Sequence, residues 1–140
     1  MTKSLVDTGP LVAMLNERDS HHRWTTEQFA EVRPPLLTCE AVLSEAFFLL
    51  RKHAAATDAL IKLIDRKIVS ISFQLETEFA RVRNILNRYA DIQISLADAC
   101  LIRMTEVHSD CHLFTFDSDF QIYRRNGRQV IPVVGPTRRD

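Results

Sequence analysis

The chain has 140 residues, with 18 basic and 18 acidic side chains and therefore a formal net charge of zero. This length suits one domain that folds without a disulfide or a structural metal. The charge balance argues against a general electrostatic nucleic-acid binder, which would be strongly basic. It does not exclude a nuclease, because a metal site supplies local positive charge. We therefore expect a single domain over residues 1–140.

The cysteines and the apolar runs indicate the cellular compartment. Cys39, Cys100 and Cys111 are an odd number without CxxC spacing, a pattern typical of reduced thiols in a cytosolic protein. The first apolar run, residues 5–6, is too short for a signal peptide. No stretch approaches the roughly 20 apolar residues of a membrane span. The expectation is a cytoplasmic protein without a membrane segment.

The first half of the chain alternates short apolar runs with helical patterns. Residues 4–6 are predicted to form a buried strand, and Pro10 suits the first turn of a following helix. Ser20 predicts the N-cap of a second helix. After a short strand at residues 36–37, Thr38 predicts the N-cap of a third helix.

The second half continues the alternation and indicates the fold class. The predicted elements are a helix from Thr57, a strand at 68–71, helices at 75–90 and 96–107, and strands at 113–116 and 130–134. Ser95 is the predicted N-cap of the helix at 96–107. Strands separated by helices favour a mostly parallel sheet with helices on both faces. The fold class predicted is therefore α/β, with three α/β/α layers.

Two aspartates follow predicted strands. Asp7 comes directly after the first strand, and Asp117 follows the strand at 113–116. Ligands of such sheets bind at the carboxyl ends of the strands. Each aspartate has a structural alternative, because Asp7 can cap the helix that contains Pro10, and either Asp117 or Asp119 can cap a short helix. We favour Asp117 as a ligand and Asp119 as a supporting or capping residue.

Two further acids lie on apolar helices. Glu45 interrupts an apolar helix and shares a face with Val42 and Leu49, whereas the alternative is a solvent-facing position. Asp98 lies in the first turn of the helix that Ser95 caps, where its charge also favours the helix dipole. Four carboxylates in one cavity would repel one another without cations. Mg²⁺ or Mn²⁺ would remove this repulsion and activate water against a phosphodiester.

Basic residues crowd the end of the chain: Arg124, Arg125, Arg128, Arg138 and Arg139. The first three follow Asp117 closely, so we expect some of them to reach the rim of the acidic pocket and to bind the phosphates that flank the scissile one. The alternative is a solvated loop and tail.

Aromatic and imidazole residues leave further alternatives open. His21 and His22 would contact the substrate, help with proton transfer, or lie on the surface at a helix start. Phe47 and Phe48, next to Glu45, would either receive an apolar segment of a partner or pack in the core.

Four segments together resemble a known family. Residues 5–11, the Glu45 helix, residues 96–99 and residues 115–120 are similar, in order and spacing, to the four motifs of PIN-domain nucleases. Within that family the chain most resembles the VapC-type toxins of bacterial toxin–antitoxin pairs. Residues 18–22 also resemble many members of this group.

The resemblance implies a specific fold, chemistry and set of partners. It implies about five parallel strands between helices, a homodimer, and cleavage of RNA that depends on Mg²⁺ or Mn²⁺. It also implies a small antitoxin protein as partner. The family's acidic positions map onto Asp7, Glu45, Asp98 and Asp117, and its hydroxyl positions near the metals map onto Thr8 and Thr115.

The leading hypothesis is therefore an endoribonuclease toxin in which two metal ions held by the four acids activate a water. The products would carry 5′-phosphate and 3′-hydroxyl ends. The alternatives are a PIN fold without activity that serves in binding or assembly, and a metal-dependent phosphatase or DNA nuclease.

Overall fold

The structure, a computed structural model, describes residues 1–136. Arg138 and Arg139 of the predicted basic cluster therefore lie outside the described residues. The prediction of a single domain over residues 1–140 stays a prediction.

A parallel sheet forms the centre of the described chain. Its five strands run in the order β3-β2-β1-β4-β7, and β5 and β6 form a separate antiparallel pair. The strands within residues 1–136 are β1 (Lys3–Val6), β2 (Leu36–Thr38), β3 (Val69–Ile71), β4 (Cys111–Phe114), β5 (Arg124–Arg125), β6 (Gln129–Val130) and β7 (Val133–Val134).

Helices flank this sheet, which confirms the predicted three-layer α/β/α fold. Two short 3₁₀ helices, Ala90–Ile92 and Ser118–Gln121, join the longer elements. The α-helices within residues 1–136 are α1 (Thr8–Leu15), α2 (His22–Ala30), α3 (Glu40–Leu49), α4 (Ala54–Asp65), α5 (Leu75–Arg88) and α6 (Leu96–Val107). None of these helices is long and apolar enough to cross a membrane.

The central strand explains why the sheet is parallel and covered. Leu5 and Val6 of β1 are fully buried, so successive side chains on opposite faces of the strand both need a covering layer. Strand β1 pairs with β2 on one side and with β4 on the other, with Val6 opposite Phe114. The ends of β1 and β4 therefore lie side by side at the carboxyl edge of the sheet.

Helix starts were predicted with mixed success. Ser95 is the N-cap of α6, because its Oγ accepts a hydrogen bond from the Asp98 N–H at 3.0 Å. The predictions for Ser20 and Thr38 were wrong, since the N-cap residues of α2 and α3 are His21 and Cys39. Thr38 belongs to β2 instead, and its Oγ1 donates a hydrogen bond to the Val6 carbonyl at 2.8 Å.

Several other boundaries differ from the predictions. Strand β4 covers Cys111–Phe114 rather than residues 113–116, so it ends three residues before Asp117. Strand β3 begins at Val69, and α5 ends at Arg88. Helix α4 begins at Ala54, before Thr57, whose Oγ1 donates a hydrogen bond to the Leu50 carbonyl at 2.9 Å. The strand predicted at 130–134 is divided into β6 and β7. Pro132 lies between them, and its missing N–H makes it a poor member of a continuous strand.

Candidate active site

The four predicted acids line one cavity at the carboxyl edge of the sheet. Asp7 follows β1, and its N–H donates a hydrogen bond to the Phe114 carbonyl at 3.0 Å, next to the segment that leads to Asp117. Helices α3 and α6 contribute Glu45 and Asp98 to the same cavity, whose volume is about 490 Å³. The structure therefore brings together four residues that are far apart in the sequence.

Asp7 lies deepest among the four, with 8% of its surface exposed. Its Oδ1 accepts a hydrogen bond from the Thr8 N–H at 2.7 Å, which makes it the N-cap of α1. Its Oδ2 accepts a hydrogen bond from Thr115 Oγ1 at 2.7 Å. The capping alternative and the place in the cavity are therefore compatible, because one carboxylate does both.

Two threonines hold the acids in place. Thr115, besides donating to Asp7, accepts a hydrogen bond from the Asp117 N–H at 3.0 Å. Thr8 Oγ1 donates to Glu45 Oε2 at 3.4 Å. Each hydroxyl thus contacts at least one of the acids, which is the geometry that a supporting role requires.

Asp119 also lines the cavity. Its N–H donates a hydrogen bond to Asp117 Oδ1 at 2.9 Å, so Asp117 is the N-cap of the short helix Ser118–Gln121. Asp117 therefore resembles Asp7, since each follows a strand, caps the next helix and lines the cavity.

Tyr123 is a cavity residue that the sequence analysis missed. Its hydroxyl donates a hydrogen bond to Asp98 Oδ2 at 3.2 Å, although only 1% of the residue is exposed. A buried tyrosine usually needs a partner for its hydroxyl, but the burial of Tyr123 depends on the fold, so no local sequence signal identifies it. Burial raises the pKa of Tyr123, with the charge of Asp98 as the next cause, so its hydroxyl keeps its proton.

Burial and like charge dominate the electrostatics of the site. Burial raises the pKa of Asp7, the hydrogen bonds from Thr115 and Thr8 oppose this rise, and the charges of Asp117 and Glu45 add to it. Burial also raises the pKa of Asp98 to about 7, with further increases from Asp7 and Asp117. The site therefore disfavours the negative charges of Asp7 and Asp98, and a bound cation would relieve this.

The donor set fits a hard divalent cation. The cavity is lined by carboxylates and hydroxyls, and no cysteine or histidine is among the described residues that line it. No group of three or more His, Cys, Asp or Glu side chains within residues 1–136 stands in an arrangement that could hold a metal directly. Mg²⁺ keeps several waters and is bound through one or two carboxylates, so acids spread around a cavity still suit this ion.

The arginines predicted to bind RNA do not line this cavity in the part of the chain that the structure describes. The Nη1 of Arg124 donates to the carbonyls of residues 121–123 at 2.7–3.2 Å. The Nη1 of Arg125 donates to the carbonyls of Thr105 and Ser109 at 2.9 and 3.1 Å, at the end of α6. Arg128 is exposed. Their contact with RNA stays a prediction, and the structure does not place Arg125 at the cavity rim.

Comparisons with known proteins identify the family. The crystal structure of Mycobacterium tuberculosis VapC20, described as a toxin that cleaves the sarcin–ricin loop, is similar with a TM-score of 0.71 and 25% identity. The similarity covers 86% of this chain and 94% of that one. No curated protein gives a significant match. The PIN domain model matches residues 4–126, a span that includes all four acids. The chain therefore belongs to the PIN domain family.

Proposed function

We propose that this chain is a metal-dependent endoribonuclease that hydrolyses RNA phosphodiesters and acts as the toxin of a type II toxin–antitoxin pair. The observation that carries the proposal is the convergence of Asp7, Glu45, Asp98 and Asp117 in one cavity. Membership of the PIN domain family and the likeness to VapC20 support it.

The four acids would hold two Mg²⁺ or Mn²⁺ ions. When bound, these cations would supply charge stabilisation at the phosphate and activation of the attacking water. The proposed products carry 5′-phosphate and 3′-hydroxyl ends.

The chain's own hydrogen bonds hold the acids ready for this task. Both oxygens of Asp7 are oriented, one by the Thr8 N–H and the other by the Thr115 hydroxyl. Tyr123 orients Asp98 through a hydroxyl that keeps its proton. Partners of this kind fix the direction of a ligand's lone pairs, so little reorganisation is needed when substrate arrives.

An exposed apolar surface beside the cavity supports an antitoxin partner. Phe48 and Leu49 at the end of α3 are 59% and 47% exposed, and Leu49 also lines the cavity. An apolar segment of a small protein laid over these residues would cover the carboxylates as well. The homodimer and the cytoplasmic location are further parts of the proposal.

Cleavage assays with matched substrates test the enzyme assignment. Single-stranded RNA and DNA of the same sequence are incubated with Mg²⁺, Mn²⁺ or EDTA, and the product ends are mapped. We expect RNA cleavage with either metal, none with EDTA, and at least a hundredfold loss in Asp98→Asn, roughly 2.7 kcal/mol of barrier. Asp65→Asn, which changes an exposed acid at the end of α4, is the control and keeps full activity.

Other outcomes identify the alternatives. Preferential cleavage of DNA would indicate a DNA nuclease, and hydrolysis of phosphate monoesters alone would indicate a phosphatase. RNA binding without any hydrolysis would indicate an inactive binding module.

A further inference from the structure

A cluster of three aromatic rings lies beside the acidic cavity. The rings of His21 and Phe116 pack against each other in a tilted arrangement, with centroids 4.3 Å apart and an interplanar angle of 38°. The ring of Trp24 meets Phe116 edge-on, with centroids 5.9 Å apart. All three residues are partly exposed. The cluster therefore presents aromatic surface to solvent at a place where the proposed substrate would pass.

The position of Phe116 links this cluster to the acids. Phe116 lies between Thr115 and Asp117 and lines the same cavity. A Cβ at Gly9 would lie 2.9 Å from Phe116 Cδ2, so the ring packs closely on the backbone at the start of α1. Trp24 supports the ring from the side. These contacts fix the ring next to the two strand-end aspartates.

Neighbouring His21 and His22 differ in their contacts. The Nδ1 of His22 is 2.7 Å from the Ala13 carbonyl, which holds that ring against α1. The His21 imidazole makes no hydrogen bond within residues 1–136, and its ring packs at a tilt against Phe116. His21 thus combines a partly exposed ring with a supported position, which suits it to receive another flat ring.

The described walls around the reacting centre carry acidic side chains and no basic ones, so contacts with substrate that need no charge are important there. No Lys or Arg is among the described residues that line the acidic cavity or the adjacent cavity of about 520 Å³, which Phe116 also lines. Phosphate contacts from basic side chains are therefore missing from the described walls around the reacting centre. Stacking of a base on an aromatic ring needs no such charge, and every base has a face that can stack.

We propose that His21 and Phe116 form a stacking platform for one unpaired nucleobase adjacent to the scissile phosphate. The platform presupposes the proposed nuclease function and adds to it a subsite for one unpaired base, formed by His21 and Phe116. A continuous duplex keeps its bases stacked on one another, so it cannot offer a base to the platform.

The test uses a short single-stranded RNA with one mapped cleavage site. Each nucleotide next to that site is replaced in turn by an abasic one, and both kcat/KM and the binding constant, from fluorescence anisotropy, are measured. For the wild type we expect one abasic position to lower both kcat/KM and the affinity for RNA by roughly 5- to 150-fold, the range for one base stacked on an aromatic side chain. His21→Ala is expected to lower them similarly on the intact RNA.

The combination of variant and substrate gives the decisive result. If the base stacks on His21, His21→Ala has little further effect on the RNA that lacks this base, because the contact is already lost. Phe116→Leu should behave in the same way, whereas His21→Phe keeps a ring and should retain most of the affinity. His53→Ala, an exposed histidine before α4, is the control and should match the wild type on every substrate.

The remaining outcomes separate the platform from the nuclease. RNA cleavage that is insensitive to every abasic position, or equal losses for His21→Ala on both substrates, would overturn the platform and leave the nuclease standing. Binding that depends on one base without any cleavage would support the platform and overturn the nuclease. Absence of both binding and cleavage would overturn both.

Discussion

Asp7 shows how one buried carboxylate can serve the fold and the site together. Each of its oxygens accepts one hydrogen bond from the protein, from the Thr8 N–H and from the Thr115 hydroxyl. A carboxylate has about four lone-pair positions, so these two bonds leave capacity for a cation on either oxygen. The helix cap thus lowers the cost of burying the charge without using up the donor atoms.

The Thr115 hydroxyl forms hydrogen bonds with two of the acidic residues, Asp7 and Asp117. Thr115→Val keeps the shape but leaves Asp7 Oδ2 and the Asp117 N–H without their partner. We expect a loss of about 1–3 kcal/mol in the free energy of unfolding and a loss of RNA cleavage of at least tenfold, by analogy with other groups that orient metal ligands.

The matched variants separate the two effects of Thr115. Thr115→Ser keeps the hydroxyl and should keep most of the activity. Thr105→Val removes another buried hydroxyl, one that donates to the Ile102 carbonyl inside α6, and should cost stability without affecting catalysis. Equal activity in Thr115→Val and the wild type would remove Thr115 from the site.

The raised pKa of Asp98 predicts that the stability of the metal-free protein depends on pH. Burial raises its pKa to about 7 in the folded state, above the ordinary value of 3.8 that applies when the chain is unfolded. Between these values the folded protein holds a proton that the unfolded chain has lost, so stability falls as pH rises from about 4 to about 7. Asp98→Asn cannot ionise and avoids this loss.

Thermal melting in EDTA tests whether stability falls as pH rises. We expect Asp98→Asn to melt above the wild type at pH 8, and this advantage to shrink towards pH 4. Asp65→Asn, whose side chain is exposed, should show no such trend. A variant that melts below the wild type at pH 8 would contradict an unfavourable charge at Asp98.

At the scale of single elements, sequence patterns predicted what local chemistry controls. The apolar spacing of residues 96–107 and the Ser95 cap gave the bounds of α6 correctly, because both are local signals. Thr38 shows where local chemistry was not enough. It pairs with Ile71 of β3, and its hydroxyl donates to the Val6 carbonyl of β1, so it belongs to β2 and the helix starts at Glu40. Such tertiary preferences depend on strands that are distant in the sequence.

The candidate site was predictable in part for the same reason. The predicted strands ended just before Asp7 and Asp117, so both acids could be placed at the sheet edge, although β4 ends three residues before Asp117. Tyr123 and the packing of His21 against Phe116 depend on how later segments fold back, and nothing local marks them. The side chain of Arg125 likewise turns to the end of α6, a contact with residues 105 and 109 that no pattern near Arg125 indicates.

Arg125 gives a prediction about the end of α6. Its guanidinium donates hydrogen bonds to two carbonyls there. Hydrogen bonds from a charged group stabilise the folded protein. A positive charge near a helix C-terminus also interacts favourably with the helix dipole. Arg125→Ala should lower the free energy of unfolding by about 1–3 kcal/mol, measured by urea denaturation, with the salt dependence of RNA binding unchanged. The exposed Arg128→Ala is the control for stability.

The opposite result would restore the interpretation from sequence. If Arg125→Ala kept its stability and lowered the salt slope of single-strand binding by about 0.7, the arginine would be a phosphate contact. The same measurement on Arg128→Ala tests the predicted RNA contact of that residue directly.

At the scale of the whole molecule, the acidic site is a product of the complete fold. Asp7, Glu45, Asp98 and Asp117 come from two strand ends and two helices, and the sheet order places β1 beside β4. The net charge of zero hides this local concentration of negative charge. A cation bound here would lie among segments that only the folded state brings together.

Metal-linked stability follows from that architecture. Because the unfolded chain cannot assemble the four acids, Mg²⁺ or Mn²⁺ should stabilise the folded protein by RT ln(1 + [L]/Kd), about 2.7 kcal/mol at a hundredfold excess over Kd. Melting curves are recorded in EDTA and at rising metal concentrations, with ionic strength held constant by KCl so that general screening does not contribute.

Asp7→Asn keeps a side-chain oxygen for the helix cap but loses the charge, so it should fold in EDTA and gain much less stability from metal. Asp65→Asn should gain as much as the wild type. If metal raised the melting temperature of all three proteins equally, the stabilising ion would bind elsewhere, and the four acids would have to be explained by the fold alone.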